Sequence, residues 1–231
     1  MRAGLSVVIP TLNAADALPD CLSALYPGVP AGLIRELIVT DGGSTDATRE
    51  IAEAAGAEIV TGPPSRGGQL RRGCAAARGD WLLILHADTV LSPGWVAAAE
   101  AHMARPGSGP AAFRLAFRAT GAMPRWVAGW ANLRTRAFGL PYGDQGLLVR
   151  RADYDRAGGY PDQPLMEDVA IARALSRNRR GRFTLLPACA ATSAERYLRE
   201  GWLKRGGRNL WTLARYLAGA SPERLAASYR K

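Results

Sequence analysis

Cysteine is scarce and scattered in this chain. Cys21, Cys74 and Cys189 are odd in number and form no close-spaced pair, so neither a disulfide framework nor a zinc site is indicated, and reduced, buried thiols are expected. No stretch approaches the roughly 20 apolar residues that a membrane-spanning helix needs. Met1 to Gly4 lead straight into Leu5 to Ile9 and then Pro10, an apolar run too short for a signal-peptide core. A cytoplasmic location is therefore expected. There is no internal repeat, no phosphate-loop Lys-Ser/Thr and no GxGxxG at a strand-to-helix turn, which removes the main support for P-loop and dinucleotide-oxidoreductase readings. Acidic charge is also short, with 20 Asp and Glu against 30 Lys and Arg and a net charge of +10. Such a surface attracts anions, whether nucleic acid, acidic lipid or phosphorylated ligands.

What is present fits one domain with a C-terminal appendage: 231 residues, 48% hydrophobic and 22% charged. Leu5 to Ile9 reads as a strand, and Asn13 as a candidate N-cap for a helix carrying Ala17, Leu18, Cys21, Leu22 and Leu25. The unit recurs with a strand at 36–40 and a helix from about Thr45 to Ala55. A strand at 57–60, a helix near Gly68 to Arg78 and the wholly apolar Trp81 to Leu85 follow. Strands apolar on both faces that alternate with helices predict an α/β fold with a mostly parallel central sheet and helices on both faces. After about residue 105 the pattern changes: a half-wet strand at 113–118, an amphipathic helix at 124–139 with Trp126, Val127, Trp130, Leu133 and Phe138, a strand at 145–149 and a helix at 165–176. The expected division is 1–192, made of a nucleotide-binding half (1–105) and an acceptor half (106–192), with a helical appendage at 193–231. From Ser193 to Leu217, Trp and Leu mix with Arg and Lys. A helix of that kind either packs on its own domain with a solvated basic face or makes peripheral contact with an anionic membrane. Gly206-Gly207 argues against one unbroken helix.

In open parallel sheets ligands collect beyond the carboxyl ends of the strands, and the polar residues here follow those strands. Asp41, with Gly42 and Gly43, is able to accept hydrogen bonds from a uracil or guanine ring, or else belongs to a turn that caps the next helix through Ser44 or Thr45. Asp88 emerges from an apolar strand and either binds Mg²⁺ or Mn²⁺ or caps the helix near Pro93. His86 adds a ligand or packs. Arg66, Arg71 and Arg72 around a glycine-rich helix start suit a diphosphate. Glu167 and Asp168 open a helix, where one carboxylate is placed to take a proton from a hydroxyl, or both serve the helix dipole.

Taken together, Val7 to Asn13, Val39 to Asp46, His86-Ala87-Asp88 and Met166-Glu167-Asp168 make the chain resemble the family 2 glycosyltransferases of GT-A fold over roughly residues 5 to 180. Arg66 to Gln69, His86 to Thr89, Gly143 to Gly146, Pro164 to Asp168 and Ser221 to Leu225 resemble more narrowly a bacterial branch labelled arsenosugar-biosynthesis-type glycosyltransferases.

The resemblance implies transfer of a sugar from a UDP- or GDP-type donor to a hydroxyl acceptor with inversion. Pro10, Thr11, Asn13, Asp41 and Ser44 would line the nucleoside pocket, with Arg66 and Gln69 approaching from the next loop. Asp88, with His86 beside it, would hold a divalent cation, and Asp168 would be the general base with Glu167 the neighbouring candidate. Trp126, Trp130, Asp144 and Gln145 are the acceptor-site candidates. Two departures from the family pattern are visible: Ala14 where many relatives carry an acid, and His86 in place of the first carboxylate of DxD. The alternatives are a nucleotidyltransferase of related architecture and a basic nucleic-acid-binding protein, although no motif for specific nucleic-acid recognition is found.

Overall fold

The computed structural model describes residues 4–177 and 183–229. Met1 to Ala3, the first part of the expected direct lead into the opening strand, lie outside the described residues. The strands are β1 (Leu5–Thr11), β2 (Ile34–Asp41), β3 (Glu58–Thr61), β4 (Trp81–Ile84), β5 (Val90–Leu91), β6 (Ala111–Phe117), β7 (Leu147–Arg150) and β8 (Thr184–Thr192). They form one sheet in the order β3-β2-β1-β4-β7-β6-β8-β5. The expected parallel character holds: β7 and β5 run against the other six strands.

The helices are α1 (Leu18–Leu25), α2 (Thr48–Ala54), α3 (Arg66–Ala76), α4 (Trp95–Met103), α5 (Ala122–Phe138), α6 (Arg151–Arg156), α7 (Glu167–Arg177), α8 (Glu195–Glu200), α9 (Trp202–Leu217) and α10 (Pro222–Tyr229). Alternation along buried strands sends side chains to two cores. Leu5, Val7, Ile9, Leu83 and Leu85 meet α1 and α4 through Leu18, Cys21, Trp95 and Ala99. Val8, Leu82 and Ile84 meet α3 and α7 on the other face through Leu70, Cys74, Ile171 and Leu175. A smaller core joins Leu165, Met166 and Val169 to Leu213 of α9 and Leu225 of α10, which ties the C-terminal helices to the start of α7. Among the described residues no helix is long and apolar enough to cross a membrane.

Several local expectations are corrected. Asn13 does not cap α1, whose N-cap is Ala17. Asn13 takes φ +48 instead, and its Oδ1 accepts the Thr45 N–H at 2.9 Å, because the loops after β1 and β2 offer it a closer donor. Asp88 does not cap α4, which begins after Gly94. Gln145 belongs to a 3-10 turn before β7. The C-terminal break falls at Gly201, with φ +89, and α9 passes through Gly206-Gly207 without interruption. Cys21 and Cys74 are buried free thiols, whereas Cys189 is only partly buried. On α5 the inward side carries Val127, Ala128, Ala131, Arg134 and Thr135, while Trp126, Trp130, Leu133 and Phe138 face solvent.

Candidate active site

Because β1 and β4 are parallel neighbours, the loops following them emerge side by side. Across from them stand the 3-10 turn at Gly143–Gln145, the start of α7 and the helices α8 to α10. Together they enclose a cleft of about 610 Å³. Of the residues expected at a site, Pro10, Asn13, Arg66, His86, Asp88, Asp144, Glu167 and Asp168 line it.

The loops after β1 and β2 form a cradle behind the cleft. Asp41 is fully buried, and its carboxylate accepts from Thr11 Oγ1, Ser44 Oγ and the Gly43 and Ser44 N–H groups. Burial pushes its carboxyl up, but the bonds from Ser44, Gly43 and Thr11 outweigh that and hold it below the ordinary carboxylate range. Ser44 Oγ also accepts the Asn13 N–H at 2.9 Å. Thr11, Asp41 and Ser44 therefore spend their hydrogen bonds on one another and do not line the cleft.

Gln69 is likewise buried outside the cleft. Its Nε2 donates to the Thr11 and Thr40 carbonyls at 2.7 and 2.8 Å and so holds the ends of β1 and β2 to α3. The first N–H groups of α3 are also occupied, that of Gly67 by the Gln163 carbonyl and that of Gly68 by Ser65 Oγ, which leaves Arg66 as the α3 residue in the cleft.

The opposite side is less saturated. Arg66 Nε meets Glu167 Oε1 at 3.1 Å, while Glu167 Oε2 is buried without a partner. Burial outweighs the Arg66 guanidinium and, with Asp168 beside it, raises the Glu167 carboxyl above its ordinary range. Asp168 Oδ2 accepts the Gly143 N–H at 2.9 Å and Oδ1 the Val169 N–H at 2.7 Å. Asp144 Oδ1 and the Tyr142 hydroxyl are buried and unpaired. Burial lifts Asp144 to about 6 against the pull of Arg134, and the Asp168 and Asp88 charges add to the rise. Met166, immediately before α7, sits at φ +63, a strained setting for a residue with a side chain, and this sharp entry turns Glu167 and Asp168 toward the cleft.

Asp88 has one side-chain partner, Thr192 Oγ1 at 3.3 Å. His86 packs under the turn: a Cβ on Gly143 would lie 2.5 Å from its Nε2, so that close approach requires glycine. Burial and Arg66 lower the His86 pKa despite nearby Asp88 and Asp168, favouring a neutral ring. Among the described residues no cluster of three or more His, Cys, Asp or Glu side chains is arranged to hold a metal ion.

Three acceptor candidates lie outside the cleft. Gln145 is buried, accepting from Thr135 Oγ1 at 2.9 Å and donating to the Phe113 carbonyl at 3.2 Å. Trp126 and Trp130 lie on the outer face of α5. In their place the cleft wall includes Tyr142, Thr192, Arg196, Tyr197, Arg205, Asn209 and Tyr229. The last four are linked among themselves: Arg205 Nη2 donates to Tyr229 Oη, which donates to Asn209 Oδ1 at 2.7 Å, and Asn209 Nδ2 donates to Tyr197 Oη at 3.1 Å. For Arg205 and Asn209 the signal lies in α9 itself, whose polar positions recur at helical spacing on one side; taking the apolar side as the inner one conceals them.

A family model described as "Glycosyl transferase family 2" matches residues 6–138. A glucosyl-3-phosphoglycerate synthase from Mycolicibacterium paratuberculosis is 38% identical over 95 residues, covering 37% of this chain and 29% of that protein. A PGL/p-HBAD biosynthesis glycosyltransferase from Mycobacterium bovis is 38% identical over 93 residues, covering 37% and 36%. The match thus spans well under half the length of these curated relatives. Among solved structures, the Mycobacterium tuberculosis glucosyl-3-phosphoglycerate synthase bound to Mn²⁺, UDP and glucosyl-3-phosphoglycerate superposes with a TM-score of 0.58 at 25% identity, covering 82% of this chain and 70% of that one. The Pyrobaculum calidifontis mannosyltransferase PcManGT, bound to GDP-Man and Mn²⁺, shares the fold with a TM-score of 0.70 at 19% identity, covering 96% and 67%.

Proposed function

The chain belongs to glycosyl transferase family 2, and from that premise we propose that it moves a sugar from a nucleoside diphosphate donor, of UDP or GDP type, to a hydroxyl acceptor with inversion at the anomeric carbon. The observation that carries this reading is the convergence of three buried, unpaired oxygens, Tyr142 Oη, Asp144 Oδ1 and Glu167 Oε2, on the cleft that also holds Asp88, Asp168 and Arg66. Each such atom costs about 1 to 3 kcal/mol while unpaired, and a bound substrate that pairs it recovers that cost.

Asp168 is the general base. Its two backbone hydrogen bonds orient the carboxylate and leave each oxygen a lone pair for the acceptor proton. As the acceptor oxygen attacks the anomeric carbon, its proton passes to Asp168 and the bond to the diphosphate oxygen breaks on the opposite face. The charge gathering on the departing diphosphate faces Arg66, with Arg196 on the same cleft. Tyr142 and Asp144 hold acceptor hydroxyls, while Pro10 and Asn13 flank the nucleoside in front of the Asp41 cradle. Glu167, held by Arg66, positions the guanidinium. In this reading residues 1–105 hold the donor, 106–192 bring the base and acceptor, and 193–231 wall the cleft.

The residues fit a divalent cation held by few protein ligands: Asp88 keeps lone pairs free beside Thr192, and unpaired Asp144 adds a nearby negative charge. Bound there with diphosphate oxygens and water, Mg²⁺ or Mn²⁺ would supply neutralisation of the leaving group.

Isothermal titration with UDP and GDP, with and without Mn²⁺, tests the donor site. Binding strengthened by the ion is expected, and no binding to either nucleotide would refute the reading. Asp168→Asn is expected to cut turnover by about 10²- to 10⁴-fold with donor affinity kept; unchanged turnover removes the base assignment. Pyrophosphate released from a nucleoside triphosphate would point to the nucleotidyltransferase instead.

A further inference from the structure

Two neighbouring helices of this fold turn large apolar side chains to solvent. On α9 the side toward the protein is mixed: Arg205, Thr212 and Leu213 are buried and Asn209 reaches the cleft. Its solvent side is apolar: Leu203, Leu210 and Leu217, seven residues apart, are 70%, 44% and 46% exposed, with Trp211 beside them at 66%. On α5, which packs against α9, Val127, Ala128, Ala131, Arg134 and Thr135 are buried while Trp126, Trp130 and Leu133, at i, i+4 and i+7, face outward. A surface helix of a water-soluble protein ordinarily keeps its large apolar side chains on the inner face. Exposed apolar ridges on neighbouring helices mark a surface that something covers.

Charge selects the occupant. Neither α5 nor α9 contains an Asp or Glu, and with Arg134 and Arg205 buried and Arg208 paired with Glu200, Arg125, Arg136, Lys204 and Arg215 are left toward solvent. Arg125 and Arg136 flank the α5 ridge, and Lys204 and Arg215 flank Trp211 on α9. A second copy of the same face would set like charges against each other. A bilayer with anionic headgroups satisfies both features, taking the Trp and Leu side chains into its interface and the cations at its surface. We propose that the α5–α9 face docks on an anionic lipid bilayer. Because Arg205 and Asn209 reach the cleft from the other side of α9, docking sets that cleft wall about one helix diameter, roughly 10 Å, from the membrane.

Flotation of the purified chain with vesicles tests this independently of any catalytic activity. The chain is expected to float with phosphatidylcholine vesicles containing phosphatidylglycerol and to stay behind with phosphatidylcholine alone. Combined Leu203→Ser, Leu210→Ser and Trp211→Ser should weaken binding by about tenfold per side chain. Lys204→Glu with Arg136→Glu should weaken it by about tenfold at low salt. The replaced side chains are exposed, so an unchanged unfolding midpoint verifies that each variant folds. Failure to float with either vesicle, equal flotation with both, or indifference to the substitutions overturns the proposal. A concentration-dependent dimer that the apolar substitutions dissolve would assign the face to a second copy and overturn it as well.

Discussion

Asp41 and Asp144 follow strands or precede them in the same sheet, yet the protein treats them in opposite ways. Asp41 is buried with four hydrogen-bond donors around it and is held below the ordinary carboxylate range. Asp144 keeps an unpaired oxygen in the cleft and is raised to about 6. The first arrangement builds a rigid cradle from the loops after β1 and β2. The second leaves polar atoms at the cleft without a protein partner. The loops after β1 and β2 thus serve as scaffold through Asp41, whereas the turn before β7 presents Asp144 to the cleft.

The comparison breaks most sharply at Asp41. Asp41→Ala strips four donors of their acceptor, and a loss of about 4 kcal/mol in urea denaturation is expected. A loss under about 1 kcal/mol would remove the scaffold role. Gly143→Ala should come next, since its Cβ would strike His86: about 1 to 3 kcal/mol of stability and most of the turnover are expected to go. An alanine variant with parental kinetics would show that the turn is not held against His86.

Asp144→Asn should move stability the other way. A carboxyl raised in the folded state stabilises it fully below the unfolded value, near 4, and that contribution is lost as pH rises through about 6. The variant should therefore match the parent near pH 4 and exceed it by about 1 to 2 kcal/mol at pH 7, while losing turnover. Equal stability at both pH values would contradict the raised carboxyl. Asp41 has the opposite sign: its depressed pKa gives stability that is present above the unfolded value and lost as pH falls through the folded one. The smallest effect is expected at the surface, where Trp126→Ser should leave turnover in solution within about twofold, because Trp126 lies outside the cleft.

Much of the sheet was legible because buried parallel strands leave uninterrupted apolar runs, as in Leu5 to Ile9 and Trp81 to Leu85. Their following loops were legible for the same reason: polar residues directly after such a run sit at the ligand-binding edge. Asp88 was singled out in this way and Glu167 and Asp168 as acids opening a helix, and all three line the cleft. Gln69 and Gln145 were not distinguishable from ligand-binding residues, because an amide that bonds backbone carbonyls and one that bonds a substrate read identically in sequence. The helix break was placed at Gly206-Gly207 on propensity, but packing of Leu213 and burial of Arg205 carry α9 through it. Local preference of about 1 kcal/mol per glycine yields to such contacts.

Periodicity along the chain was enough to determine β1 to β4, the helices between them and the edge of the sheet at which polar loops gather, since each depends on neighbours a few residues away, but β8 was not read from it. Which oxygens remain unpaired, and which side of α5 and α9 faces water, was decided only in three dimensions. Both depend on partners far off in the chain: Gly143 meeting Asp168, Arg66 meeting Glu167, and Arg205 and Asn209 of α9 turning inward to close the cleft.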